Sequence, residues 1–192
     1  VRLFAAVLPP DEAVAELGRA VSQLKGSHGL EGAEGLRWTG LPGWHFTLAF
    51  YGEVPEETVP ELSRRLERAA ARTAPFPLAL RGGGHFGDRA LWVGASGDVA
   101  ALRRLAERAG AAARKAGLDT EDHRHYRPHL TLARGSGTVH LKPYVAALDS
   151  FTGEQWTVGE LALVRSRLPR SGVRGEQPRY EKVGGWPLSA TG

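Results

Sequence analysis

The hydrophobic residues of this chain fall into alternating blocks of strand-like and helix-like spacing. Residues 3–8 form a short continuous apolar run closed by Pro9-Pro10, which predicts a buried strand. Asp11 then reads as an N-cap, because Val14, Leu17, Val21 and Leu24 recur at helical spacing behind it. A polar, glycine-rich loop over 26–35 leads to a brief strand at 36–38 and an apolar, β-prone run over 44–51, ended by Gly52. Pro55 and two glutamates open a second helix whose apolar face is Val59, Leu62, Leu66 and Ala69, with Pro60 tolerated near its start. Strands are predicted over 76–80 and 90–95, joined by a loop over 82–88, and then a third helix over 99–116, stopped by Gly117. A second β-prone run follows at 129–133, and a fourth helix at 142–148 with Pro143 at its start. Further strands are predicted at 155–158, 160–168 and 179–183, with an exposed hairpin loop over 170–179. Helices alternate with strands, yet neighbouring strands also come in pairs. The fold class expected is therefore α+β rather than a doubly wound parallel sheet.

Composition narrows this picture only modestly. A hydrophobic fraction of 42% with 24% charged residues is ordinary for a globular protein. The excess of 25 Lys+Arg over 21 Asp+Glu is mostly arginine; it suits a phosphate-bearing partner but falls short of a nucleic-acid-coating surface. A coding bias toward arginine explains it equally well. With no cysteine, disulfides, zinc ribbons and thiol catalysis are excluded. No apolar run reaches the roughly 18 residues of a membrane span, and the first eight residues lack a signal-peptide layout. A cytoplasmic protein with no membrane partner is expected, and nothing demands more than a monomer.

The candidate chemistry lies in a phrase that occurs twice. His45-Phe46-Thr47-Leu48 and His129-Leu130-Thr131-Leu132 both read His-x-Thr-Leu and are followed by Ala49 and Ala133. The histidines are 84 positions apart, and so are the threonines. In a strand, residues two apart share a face, so each His and Thr point one way while Phe46, Leu48, Leu130 and Leu132 point the other. A core strand needs neither group, although half-buried structural histidines would give the same pattern. Histidine serves as acid or base near neutral pH. Threonine hydroxyls can donate to phosphoryl oxygens and stabilise charge developing on them. Two imidazoles on opposite sides of a phosphorus can activate the attacking oxygen and protonate the leaving one without a metal.

Other polar residues add less. Arg127 shares strand parity with His129, so it either holds the phosphate in the same groove or is a surface arginine. Strict alternation sends Arg134 to the opposite face, which leaves it out of the candidate site. Tyr51 shares parity with His45, with base contact and packing both open. His123, His125 and His129 do not make a metal site, because Pro128 breaks a helix through them and no carboxylate falls at ligand spacing. His28, His85 and His140 lie in turns, where solvation is expected. Gly82-Gly83-Gly84 lacks the Lys-Ser/Thr of a phosphate-binding loop.

With both motifs in view, the sequence resembles the 2H phosphoesterase superfamily, and within it the RNA 2′,3′-cyclic phosphodiesterases, formerly called 2′-5′ RNA ligases. The resemblance covers residues 2–7, Arg37-Trp38, the motif runs 45–54 and 127–134, Ser166-Arg167-Leu168, Tyr180-Glu181 and Trp186-Pro187-Leu188. It implies two pseudo-symmetric α+β lobes with antiparallel sheets facing a central groove, here a single two-lobed domain over residues 1–192. It implies no cofactor and no metal. It assigns His45 the protonation of the leaving oxygen and His129 the acceptance of a proton from water, with a 2′-phosphate as product. The substrates it implies are RNA with a 2′,3′-cyclic phosphate end, or cyclic nucleotides. The alternatives are an RNA-end or nucleotide-binding protein without useful turnover, and 2′-5′ ligation by the reverse reaction.

Overall fold

The computed structural model describes residues 1–26, 35–120, 126–169 and 176–191. In chain order its elements are β1 (Arg2–Val7), α1 (Asp11–Lys25), β2 (Leu36–Trp38), β3 (Phe46–Glu53), α2 (Val59–Ala71), β4 (Phe76–Phe86), β5 (Ala90–Gly97), α3 (Val99–Lys115), β6 (Leu130–Gly135), α4 (Lys142–Leu148), β7 (Trp156–Val158), β8 (Glu160–Arg167) and β9 (Arg179–Pro187). Short 3₁₀ turns at Leu41–Gly43 and Glu56–Thr58 precede β3 and α2.

The strands form two antiparallel sheets, one in the order β3-β1-β8-β9 and the other β2-β6-β5-β4-β7. The fold is thus α+β, as the paired strands imply. Each motif strand heads a run of four: β3 beside β1, β8 and β9, and β6 beside β5, β4 and β7, with β2 added outside β6. Helices α2 and α3 pack on the first sheet and α4 on the second, with α1 laid against α4. One apolar core joins both sheets and all four helices, through residues such as Leu17, Phe46, Leu66, Leu80, Leu105, Leu130 and Leu163. A smaller cluster, Phe4, Ala6, Ala162 and Val164 with Tyr180 against it, lies on the other face of the first sheet. That outer face is where the side chains of the first motif emerge, with His45 against Phe4 and Tyr180.

Local departures from the sequence reading have local causes. Asp11 is the first helical residue rather than the cap; Pro10 holds the cap position, with no side-chain hydrogen bond, and Asp11 with Glu12 instead places acid in the first turn. The true side-chain cap is Asp98 of α3, which accepts the Ala101 N–H at 3.0 Å. Residues 26–35 and 170–179 lie largely outside the described residues. Among the described residues no helix is long and apolar enough to cross a membrane.

The largest departure is the glycine run at 82–84, which is not a loop but the continuation of β4 to Phe86. Pairing with β5 shifts register between Arg81 and Gly83, where Gly82 takes a φ of +67°. Beyond it Gly84 pairs with Trp92, and the indole lies flat on it: a Cβ there would come within 2.2 Å of the ring. Glycine at 84 is a floor for Trp92, which in turn stands beside His129. Gly84→Ala should therefore destabilise the protein by about 1–3 kcal/mol, the usual range for overpacking. Its urea midpoint should fall and its tryptophan emission should change; an unchanged midpoint would mean that the indole is not seated on Gly84.

Candidate active site

Each histidine is the residue just before its strand, and each is delivered by a pinned approach. Ahead of His45, buried Trp44 donates its indole N–H to the Thr39 carbonyl at 3.1 Å. Gly43 is buried below Tyr180; a Cβ there would come within 2.7 Å of Thr39 Cγ2 and 3.2 Å of Tyr180 Cε2, so a side chain would push the segment off the sheet. Ahead of His129, Pro128 is buried, and the His129 Nδ1 lies 2.8 Å from the Arg127 carbonyl. A carbonyl can only accept, so Nδ1 carries the proton and the Nε2 lone pair is left for chemistry.

The two approaches are cross-tied. The Thr39 N–H donates to the carbonyl of Leu132 in the second motif at 2.8 Å. In return, the Tyr126 hydroxyl donates to the carbonyl of Thr47 in the first motif, also at 2.8 Å. Each motif strand thus holds the segment that delivers the other histidine.

Both motifs carry the same irregularity. In the first, Thr47 pairs with Ala6 and Ala49 with Ala5, which leaves Leu48 as an extra residue. In the second, Thr131 pairs with Trp92 and Ala133 with Leu91, which leaves Leu132 extra. A one-residue bulge reverses the facing of everything after it. Before it the alternation holds: Phe46, Leu48, Leu130 and Leu132 are buried, and His45, Thr47, His129 and Thr131 are half-buried on the other face. Beyond it, Tyr51 turns inward and donates to the Ala109 carbonyl at 2.9 Å, so its role is packing. Phe50 is exposed in its stead.

The same reversal brings in a residue that strict alternation excludes. Arg134 is exposed, and its positive charge acts on His45, His129 and Tyr180 alike. Nothing in the sequence marks Leu132 as a bulge, so parity misled about the arginine two residues later. Arg127 has an exposed side chain, and its charge also acts on His129.

Each imidazole sits between two aromatic rings. His45 lies 4.6 Å from Phe4 and 5.4 Å from Tyr180, centroid to centroid. His129 lies 4.9 Å from Phe86 and 5.9 Å from Trp92. Burial is the main force on both, and it favours the neutral ring. His45 is lowered to about 4, by burial first and then by the charges of His129 and Arg134. His129 is also lowered, by burial first; its bond to the Arg127 carbonyl works the other way, while Arg134 and Arg127 lower it further. That His45 responds to the His129 charge means the two rings share one site. Among the described residues, neither threonine hydroxyl has a hydrogen-bond partner, and no three His, Asp or Glu side chains group closely enough to hold a metal. The arrangement offers two imidazoles, two unengaged hydroxyls and an arginine around a space that favours negative charge. His123 and His125 lie outside the described residues.

Comparison with known proteins bears on the family and the fold. The chain matches the family model of the 2′-5′ RNA ligase superfamily over residues 8–170. It is 34% identical over 208 aligned positions to the RNA 2′,3′-cyclic phosphodiesterase of Thermus thermophilus, covering 96% of each protein. It is 31% identical over 156 residues to the RNA 2′,3′-cyclic phosphodiesterase of Geobacillus stearothermophilus, covering 79% of this chain but 47% of that relative, so the match spans about half of the longer protein. Its fold resembles the crystal structure of E. coli LigT complexed with 3′-AMP, with a TM-score of 0.76, 26% identity and 98% of each chain covered. Matched by the family model over most of its length and aligned nearly end to end with a relative, the chain belongs to the 2′-5′ RNA ligase superfamily, the family its two His-x-Thr motifs resemble.

Proposed function

We propose that this chain is an enzyme that hydrolyses RNA 2′,3′-cyclic phosphate ends to 2′-phosphomonoesters, with residues 1–192 working as one two-lobed domain. The observation that carries the reading is the duplicated site: two aromatic-flanked imidazoles, each beside a threonine hydroxyl without a protein partner among the described residues. The names of the Thermus and Geobacillus relatives support the same activity.

In this mechanism His129 Nε2 takes a proton from the attacking water, which adds to phosphorus. The bond from phosphorus to the 3′ oxygen breaks, and protonated His45 gives that oxygen its proton. The fixed Nδ1–H of His129 suits it to the accepting role. Thr47 and Thr131 donate to the non-bridging oxygens, and Arg134, with Arg127 at the rim, offsets their charge. No metal takes part, and no cofactor.

The direct test is incubation with cyclic-phosphate-ended oligonucleotides in EDTA, with identification of the product isomer. Turnover to a 2′-phosphate is expected; activity lost in EDTA and restored by one divalent ion would sink the metal-free mechanism. His45→Ala or His129→Ala should cost roughly 10²–10⁴-fold in rate, and the double variant much less than the product of the two losses. Thr47→Val, Thr131→Val and Arg134→Ala should each cost on the order of 10²-fold, as for a lost donor to developing charge. Wild-type turnover in either histidine variant would favour a binding protein.

Depressed imidazoles also set the pH dependence. A bound phosphate brings negative charge between the rings and raises both pKa values. The profile of kcat/KM reports the free enzyme and that of kcat the complex. Both limbs of the kcat bell should therefore lie at higher pH than those of kcat/KM, and coincident profiles would contradict the electrostatics drawn above.

Stability carries the same signature. His45 falls from 6.5 when free to about 4 when folded, so the folded state favours its neutral form. The stability tied to it is complete above about 6.5 and is lost as pH falls toward 4. In phosphate-free buffer the Tm should drop across that window, and less steeply in His45→Asn. Equal slopes for the two proteins would show that the ring is not held neutral.

A further inference from the structure

The side chains of the first motif emerge on the outer face of the first sheet, and a separate cavity lies at that sheet's end. There Arg2 at the start of β1 pairs with Glu53 at the end of β3, and Arg167 at the end of β8 pairs with Arg179 at the start of β9. The cavity has a volume of about 750 Å³, and its lining includes Arg2, Arg165, Arg167 and Arg179. Four arginines thus line it beside two glutamates, Glu53 and Glu176, and Glu53 is already paired with the N-terminal amine at 3.2 Å. Arg167 has a distant partner, Glu181 at 3.9 Å. Among the described residues, no carboxylate lies within 4.0 Å of Arg2, Arg165 or Arg179. Ser166 lines the cavity too, and its buried hydroxyl finds no hydrogen-bond partner among them. Positive charge gathered in a concavity and left unneutralised is a site for an anion.

One step along the chain and one ring contact relate this cavity to the surroundings of His45. Arg179 is followed by Tyr180, whose ring packs on both Phe4 and His45. On the other side the Arg2 guanidinium lies 4.7 Å from the centre of the Phe50 ring, and Phe50 is 42% exposed. An exposed aromatic ring, a guanidinium stacked on it and the arginine cavity thus follow one another at the end of the first sheet. Stacking surfaces joined to a basic groove are how proteins hold single-stranded nucleic acid without reading its sequence.

We propose that this cavity binds the phosphodiester backbone of the RNA strand just upstream of the cyclic end. This rests on the RNA-end reading above and extends it: the preferred substrate is an oligonucleotide, and a mononucleotide 2′,3′-cyclic phosphate leaves the cavity empty. Arg165 and Arg179 take the upstream phosphates, Phe50 offers a face to a base, and Tyr180 stands between cavity and catalytic centre.

The test compares wild type with Arg165→Gln, Arg179→Gln and the double variant on two substrates, 2′,3′-cyclic AMP and a tetranucleotide ending in a 2′,3′-cyclic phosphate. Wild type should favour the tetranucleotide, chiefly through KM. The double variant should lose roughly tenfold in kcat/KM on the tetranucleotide and keep its activity on cyclic AMP. Its salt dependence on the tetranucleotide should also flatten, by about 0.7 in log–log slope per phosphate contact removed. Equal losses on both substrates, or no wild-type preference for the longer one, would overturn the proposal. A binding arm separates it from the activity itself, using a fluorescent tetranucleotide ending in a 2′-phosphate. If wild type turns over neither substrate, the RNA-end hydrolysis fails; weaker, less salt-dependent binding in the variants still upholds the cavity, and unchanged binding rejects it. An acidic peptide of equal charge that competes as well as the RNA would also reject it.

Discussion

A strand that must show a histidine and a threonine to an open groove, and still contribute to a core, can satisfy both demands only over a few residues. The bulged leucine after each threonine resolves this conflict. Leu48 and Leu132 let both motif strands alternate through His-x-Thr and then reverse, so that Ala49 and Ala133 are buried and the next residue returns to the groove side. The reversal also sends Tyr51 into the interior, where its hydroxyl meets the Ala109 carbonyl and ties β3 to α3. The hydroxyl is deeply buried, and burial pushes its pKa up, so it remains a neutral donor there. The face that shows histidine and threonine, and the anchoring of its strand, thus follow from one extra residue.

The bulged Leu132 also supplies one of the two cross-ties, since its carbonyl accepts the Thr39 N–H. Tyr126 closes the other to the Thr47 carbonyl. A site built from two sheets is sensitive to small rotations of one against the other. Hydrogen bonds running both ways between the motif strands and the opposite approach segments resist such rotation, as does the common core beneath. Preorganised donors of this kind need little reorganisation when charge develops on a bound group.

The electrostatic character of the groove has its origin in the same packing. Aromatic rings on either side remove water from the imidazoles, so both are held below their usual pKa, while Arg134 adds fixed positive charge. An empty groove therefore holds neutral histidines in a positive field. An anion entering it would both satisfy the arginine and supply the charge that lets an imidazole keep a proton. In the proposed mechanism binding of the anion and protonation of an imidazole are thus coupled.

Local pattern alone was enough to find the helices, most of the strands and the histidine–threonine pairs. Apolar spacing located the four helices closely, because a helix face needs several residues in period and Leu62, Leu66, Leu102 and Leu105 supply them. Two-residue alternation likewise assigned His45 with Thr47 and His129 with Thr131, since both pairs lie ahead of the irregularity. The features that no local pattern carries lie after the bulges or between the sheets. Arg134 joins the site and Tyr51 leaves it because pairing with β5 and β1 slips by one residue, and that slip depends on the neighbouring strand rather than on the residues that slip. The glycines at 82–84 read as a turn, yet they extend β4 because an indole from the next strand needs bare backbone to lie on. The aromatic partners of each histidine come from strands far from it in the chain, and Arg2 of β1 meets Arg165 and Arg179 of β8 and β9 only because β1 pairs with β8. Local pattern encodes which way a side chain faces within a few residues; it carries no record of what faces it across a sheet.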